Sequence, residues 1–194
     1  RMERLHPYGC EYLGMNIDNV FQKIMKFDSR VPLEGYQEPK MQAGLYRDYI
    51  ERCKNRIDNQ ELNDFLEKHM LKEYPNTPYT FSHGDASFEN IMSDKYGEEV
   101  YFIDPIQEPG LYSSWVIDFS KYYASLALKR EIINERCVER NLVKNHLYKN
   151  INIKTIQIHA IANLCRMYPY ATKEWKVGIL DTIKKLCNEV KTKK

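Results

Sequence analysis

Three side chains in the middle of the chain, Asp85, Asn90 and Asp104, have the types and spacing that phosphoryl transfer requires. Asp85 and Asn90 lie five residues apart in Phe81-Ser82-His83-Gly84-Asp85-Ala86-Ser87-Phe88-Glu89-Asn90-Ile91-Met92. Asp104 ends the apolar run Val100-Tyr101-Phe102-Ile103, just before Pro105. Moving a phosphoryl group asks a protein for positioning and charge stabilisation more than for covalent work. One carboxylate must orient the attacking hydroxyl and take its proton, a role open to Asp85. Magnesium takes hard oxygen ligands, commonly one or two carboxylates with an amide oxygen, water and phosphate; Asn90 and Asp104 suit that role. Gly84 lets the backbone bend sharply ahead of Asp85, and His83 suits anchoring the loop through its ring nitrogens. Alone, Asp85 and Asn90 read equally well as turn residues and Asp104 as a strand end. The flanking His-Gly, Asn-Ile-Met and Ile-Asp, in that order, favour a site.

For these groups to meet, the chain between them must fold back. Ile91 to Ser93 and Val100 to Ile103 read as strands, with Asp94-Lys95-Tyr96-Gly97 as the hairpin turn. Such a hairpin brings the loop before Ile91 beside the strand end at Asp104. Tyr79 to Ser82 reads as a short extended piece. The rest is helical by periodicity. Asp18 is expected to cap a short helix with Val20, Phe21, Ile24 and Met25 on one face, followed by a loop from Asp28 to Pro39. A helix is expected from Met41 to Ile57, with Leu45, Tyr49, Ile50, Cys53 and Ile57 inward. Asp58 and Glu61 have capping-box spacing for the next, which buries Leu62, Phe65, Leu66 and Met70 and stops at Pro75 and Pro78. After a loop with Pro105, Pro109 and Gly110, helices are expected over Val116 to Lys129, about Glu131 to Asn145, and Thr155 to Met167. A last helix carries Trp175, Ile179, Ile183, Leu186 and Val190 on one stripe. Such stripes are ordinarily core. The expected fold class is mainly α with a small β-hairpin, as a single domain over residues 1–194.

The ordered residues resemble the C-terminal lobe of the aminoglycoside phosphotransferase and choline kinase superfamily, whose fold is protein-kinase-like (α+β). The family pattern of His-Gly-Asp, four residues, Asn, then Ile-Asp, then a downstream Asp opening a helix falls on His83-Gly84-Asp85, Asn90-Ile91, Ile103-Asp104 and Asp118-Phe119-Ser120. The resemblance implies Asp85 as catalytic base, Asn90 and Asp104 as magnesium ligands, and Asp118 as a brace for the active-site loops. Leu5-His6 is similar to the Leu-His that closes the first helix of that lobe. Asp104-Pro105 and Asp118-Phe119-Ser120-Lys121 look like the branch acting on sugars in surface-polysaccharide pathways. Ser114-Trp115 stands where a Gly-Asp is common, a departure on the substrate side. ATP and Mg2+ are the implied cofactors, and the implied substrate is a small-molecule hydroxyl on a sugar, an aminoglycoside or a choline-like alcohol. By the same resemblance the substrate lies between the catalytic loop and the C-terminal helices, making Trp115, Arg166, Tyr168, Tyr170 and Trp175 candidates to line it. Each of these reads as a core residue too. Aromatic groups there suit a quaternary amine or a stacked sugar ring.

The protein-kinase-like fold also places a glycine-rich loop and a strand-borne lysine over the nucleotide. No G-x-G occurs in this chain, and the region before Asp85 is helical in pattern. The expectation is a catalytic lobe without its N-terminal β-lobe, completed in cis or by a partner chain and a poor catalyst alone. A non-catalytic single-lobe binding subunit is the alternative.

Bulk properties narrow the remaining classes. Its 194 residues fit one domain with a real core. With 29 Lys and Arg against 27 Asp and Glu, the net charge of +2 leaves no nucleic-acid footprint. No apolar run reaches membrane length and no signal peptide opens the chain, which points to the cytoplasm. Cys10, Cys53, Cys137, Cys165 and Cys187 are widely spaced with no C-x-x-C, as expected of small buried hydrophobes rather than a zinc or disulfide framework.

Overall fold

The expected hairpin forms and gains a third strand. The computed structural model describes residues 6–7, 20, 22–24, 26, 38–93, 100–106, 111–132 and 152–192. Strands β1 (His6–Pro7), β2 (Ile91–Ser93) and β3 (Val100–Phe102) lie in that order in one antiparallel sheet, with Ile91 opposite Phe102 and His6 opposite Ser93. His6 therefore lies in a strand rather than closing a helix. Its neighbour Pro7 cannot donate to a ladder, which is tolerated because β1 is an edge strand. The turn at Asp94 to Gly97 lies outside the described residues.

The longer helices among the described residues are α1 (Pro39–Cys53), α2 (Gln60–Glu73), α3 (Trp115–Ile132), α4 (Ile153–Met167) and α5 (Lys173–Thr192). Helix α1 starts two residues before the expected Met41, because Pro39 at the first turn gives up no hydrogen bond the helix needs. It stops four residues before Ile57. Lys54 leaves the helix in an extended conformation and Asn55 adopts φ 57, a left-handed position that Asn tolerates. Asn63 locks that reversal: its Oδ1 accepts from the Asn55 backbone N–H at 2.9 Å, and its Nδ2 donates to Asn55 Oδ1 at 3.0 Å. Asn59 rather than Asp58 caps α2, accepting from the Leu62 N–H at 2.9 Å. Asn152 caps α4 in the same manner, onto the Lys154 N–H at 3.0 Å. Val20 and Ile24 are buried as expected, whereas Asp18, Phe21 and Met25 lie outside the described residues. So does most of the helix expected over Glu131 to Asn145, of which residues 131 and 132 extend α3.

Helix α4 is the axis of the molecule. Thr155 through Cys165 is buried on every side, and α1, α2, α3 and α5 all contact it. One apolar cluster joins α1, α2, α4 and α5 through Tyr46, Ile50, Leu66, Met70, Ile161, Leu164, Ile179 and Ile183. A second joins the sheet to α3 through Val20, Ile24, Ile91, Val100, Trp115, Phe119 and Tyr122. Helix α3 takes part in both, so its position is fixed from two sides. Cys53 and Cys165 are buried and Cys187 partly so, all as free thiols. No helix among the described residues is long and apolar enough to cross a membrane.

Candidate functional site

The loop from Phe81 to Asn90 is held in place from below by Asp118. This carboxylate, 1% exposed on α3, accepts from the His83 N–H at 2.5 Å through one oxygen and from the Gly84 N–H at 2.9 Å through the other. Burial pushes its carboxyl up to about 7, against the pull of those two N–H groups and of Lys121. Asp118 is where it is because Ser114 starts α3: the Ser114 carbonyl accepts from the Ile117 and Asp118 N–H groups at 3.1 and 3.2 Å. The extended stretch before the loop is tied to the same helix start. Thr80 exchanges bonds with Ser113, and its Oγ1 accepts from the Trp115 N–H at 2.8 Å.

Gly84 adopts φ 81, and a Cβ there would lie 2.0 Å from the Ile106 carbonyl oxygen. Only glycine permits this conformation and this approach together. The same contact is closed by the Ile106 N–H, which donates to His83 O at 3.0 Å. His83 is 5% exposed, and its Nδ1 accepts from the Asp85 N–H at 3.3 Å. Burial lowers its pKa below the ordinary imidazole value, so the ring is neutral at pH 7 and Nδ1 keeps the lone pair this bond needs. His83 therefore supports the loop.

The backbone segments that carry Asn90 and Asp104 are neighbours through the sheet. Ile91 pairs with Phe102, and the Ile103 N–H donates to Asn90 O at 3.0 Å, so the strand end carrying Asp104 runs beside the loop end carrying Asn90. The Asn90 Nδ2 donates to Asp85 O at 3.0 Å. This bond uses the donor end of the amide and leaves Oδ1, the hard atom, as its remaining ligand atom. Asp104 is exposed and adopts φ 53, a sparsely populated conformation for a residue with a side chain. Among the described residues no three His, Cys, Asp or Glu side chains gather as a metal site. A magnesium ion held by one carboxylate, one amide oxygen and substrate phosphates does not need such a group, and these two side chains fit it.

Lys121, which the sequence marks only as the end of Asp118-Phe119-Ser120-Lys121, stands against the candidate base. Its Nζ lies 2.5 Å from Asp85 Oδ1, with both side chains partly buried. It stands three residues after Asp118 on α3, so both face the loop; that spacing was the available signal. Lys121 also lines a cavity of about 610 Å³, whose walls include Ile106, Asn163, Arg166, Tyr170 and Trp175. The cavity thus runs from the residue bonded to Asp85 toward the C-terminal helices. Three of the five candidate substrate residues line it: Arg166, the half-buried Trp175, and Tyr170, which is 84% exposed. Trp115 does not, being 7% exposed within the apolar cluster under the sheet. Tyr168 packs against the other core cluster and carries the Lys176 ammonium 5.2 Å above its ring. Arg56, just past α1, also lines the cavity and had not stood out in the sequence.

No protein-family model matches this chain, and no curated protein matches it in sequence. The functional reading accordingly rests on the residues and their geometry.

Proposed function

We propose that the chain is the catalytic lobe of an ATP- and magnesium-dependent phosphotransferase acting on a hydroxyl of a small molecule, in the manner of the aminoglycoside phosphotransferase and choline kinase superfamily. The observation that carries this reading is the bond from Asn90 Nδ2 to the Asp85 carbonyl, together with the pairing of Asn90 O to the Ile103 N–H. It unites a proton acceptor, an amide oxygen and the Asp104 strand end in one loop cluster, braced by Asp118.

In this reading Asp85 hydrogen-bonds the substrate hydroxyl and takes its proton. The substrate oxygen forms a bond to the γ-phosphorus, the bond from that phosphorus to its bridging oxygen breaks, and ADP leaves. Asn90 Oδ1 and Asp104 would hold magnesium, which would supply positive charge against the phosphates. Lys121 fixes the orientation of Asp85 and releases it when a hydroxyl takes its place. Asp118, His83 and Gly84 keep the loop from relaxing, which preserves the alignment of the reacting groups.

The test is a thermal-shift titration of the chain with MgADP and MgATP. Magnesium-dependent stabilisation is expected, and it should vanish in Asp104→Asn. Asp85→Asn should keep that stabilisation while losing about a hundredfold or more in phosphoryl transfer. Absence of any shift, in this chain and with an N-terminal lobe supplied, would overturn the reading in favour of a non-catalytic binding subunit.

A further inference from the structure

The cavity beyond Lys121 has a one-sided electrostatic character. Among the described residues Arg56, Lys121 and Arg166 line it, and no aspartate or glutamate does. Lys121 is balanced by Asp85. The two guanidiniums are not: among the described residues no carboxylate lies within salt-bridge distance of Arg56 or Arg166. Arg166 interacts electrostatically with Tyr49 and Cys53, which burial keeps protonated and neutral, with the Cys53 thiol pushed up to about 12. These neighbours leave its charge unneutralised. A second, independent feature points the same way. Asn163, 2% exposed, lines the same cavity, and its Nδ2 makes no hydrogen bond among the described residues. A buried donor without a partner is costly unless something else satisfies it.

The geometry points to a recognition site for a small hydroxylated anion, a sugar acid or sugar phosphate, in the cavity between Lys121 and α4–α5. Its negative group would be held by Arg166 and Arg56, its polar edge met by the Asn163 amide, and its ring set against Trp175. This deepens the phosphotransferase reading and rests on it for the placement of the reacting hydroxyl near Asp85; the anion site itself stands on the cavity alone. Guanidinium forks match carboxylate and phosphate oxygens bidentately, whereas an aminoglycoside or choline would bring positive charge against positive charge. Among the phosphate acceptors that the family resemblance leaves open, this proposal favours the anionic ones over the cationic.

The experiment is calorimetric titration of the chain, without nucleotide and at fixed ionic strength, with glucuronate, glucose 6-phosphate, glucose, kanamycin and choline. Binding of glucuronate or glucose 6-phosphate is expected, and the stronger of the two identifies a carboxylate or a phosphate as the recognised group. Glucose, kanamycin and choline should bind at least tenfold more weakly, in line with the loss of a charge-assisted pair. Arg166→Ala should weaken the anion by about tenfold to a hundredfold, and Arg166→Lys by less. Arg56 is exposed, so Arg56→Ala gives the same readout should Arg166→Ala fail to fold. Equal binding of glucose or kanamycin, no binding of either anion, equal competition by sodium sulfate, or indifference to both arginine substitutions would each overturn the inference. The Asp104→Asn chain separates the two readings: it should bind the anion normally while losing the MgADP response. Anion binding without any nucleotide response, in this chain and with an N-terminal lobe supplied, would leave the cavity assignment standing and remove the kinase. A nucleotide response with no anion preference would do the reverse.

Discussion

Around His159, in the middle of α4, every polar group is turned inward. Its Nε2 lies 3.0 Å from Thr77 Oγ1 and 3.3 Å from the Tyr46 hydroxyl. Those hydroxyls already donate their single protons, Thr77 to Glu73 O at 2.9 Å and Tyr46 to Met70 O at 3.0 Å. The histidine must therefore be the donor, as the neutral Nε2–H tautomer. Glu73 accepts from Thr155 at 2.7 Å and Asn76 at 2.8 Å, and Tyr112 donates to Thr77 O at 2.5 Å. Around Asp85 the same kinds of residue are arranged the other way. The backbone is immobilised from beneath by Asp118, Asp104 is exposed, and the partly buried Asp85 pairs with Lys121. In the interior the hydroxyl protons end on backbone carbonyls of the core; at the loop the backbone N–H groups of His83 and Gly84 end on a side chain from α3.

Asp118→Ala tests the underside of the loop and should have the largest effect on stability. It strips acceptors from two N–H groups, a cost of about 2–5 kcal/mol by urea denaturation, with loss of the MgADP response. A fully stable protein that still binds nucleotide would mean the loop does not depend on its brace.

Acid should act next on the interior. Burial drops the His159 pKa from 6.5 to about 3. Its Nδ1 has no partner among the described residues, so a second proton would be buried with no acceptor. The unfolded chain then binds more protons than the native one below pH 6.5. The His159 contribution is fully present above pH 6.5 and is lost as pH falls toward 3, by up to about 1.4 kcal/mol per pH unit. Asp118 opposes it, since a carboxyl raised from 3.8 to about 7 gains stability as pH falls through that window. The stability difference between the wild type and His159→Gln, measured at pH 7.5, 6 and 5, isolates the histidine. The gap should close, and then favour the variant, as pH falls. A gap independent of pH would place His159 in a less buried setting than the one seen.

Tyr112→Phe removes one donor from the interior network and should cost about 1 kcal/mol without changing nucleotide response. Lys121→Met should have the smallest effect on stability, no more than about 1 kcal/mol for a partly exposed pair. It should nevertheless alter phosphoryl transfer, since it frees Asp85. Reversed magnitudes for Tyr112 and Lys121 would break the distinction between the two clusters.

Much of the scaffold was legible from periodicity. The stripes Leu62, Phe65, Leu66 and Met70, and Ile179, Ile183, Leu186 and Val190, are buried where the 3.6-residue repeat puts them. The hairpin also followed from its strand pattern. Helix ends were less legible, because they depended on Asn55 and Asn59, whose roles come from partners at Asn63 and Leu62. For the site, order along the chain indicated Asp85, Asn90 and Asp104 as a group. The aromatic residues could not be sorted that way: Trp115 and Trp175 have similar local patterns, yet one lies in the core and the other on the cavity wall.

The sequence by itself determined the helical periodicity, the spacing of the three polar residues and the glycine that their loop requires, since these depend on local backbone geometry and residue chemistry. Only the tertiary structure decided that Lys121 meets Asp85, that Asp118 holds the loop from beneath, and that Arg56, Asn163 and Arg166 face one cavity. Those groups come from α3, the end of α1 and α4, and no local pattern encodes which faces of separate helices will meet once the two apolar clusters have packed.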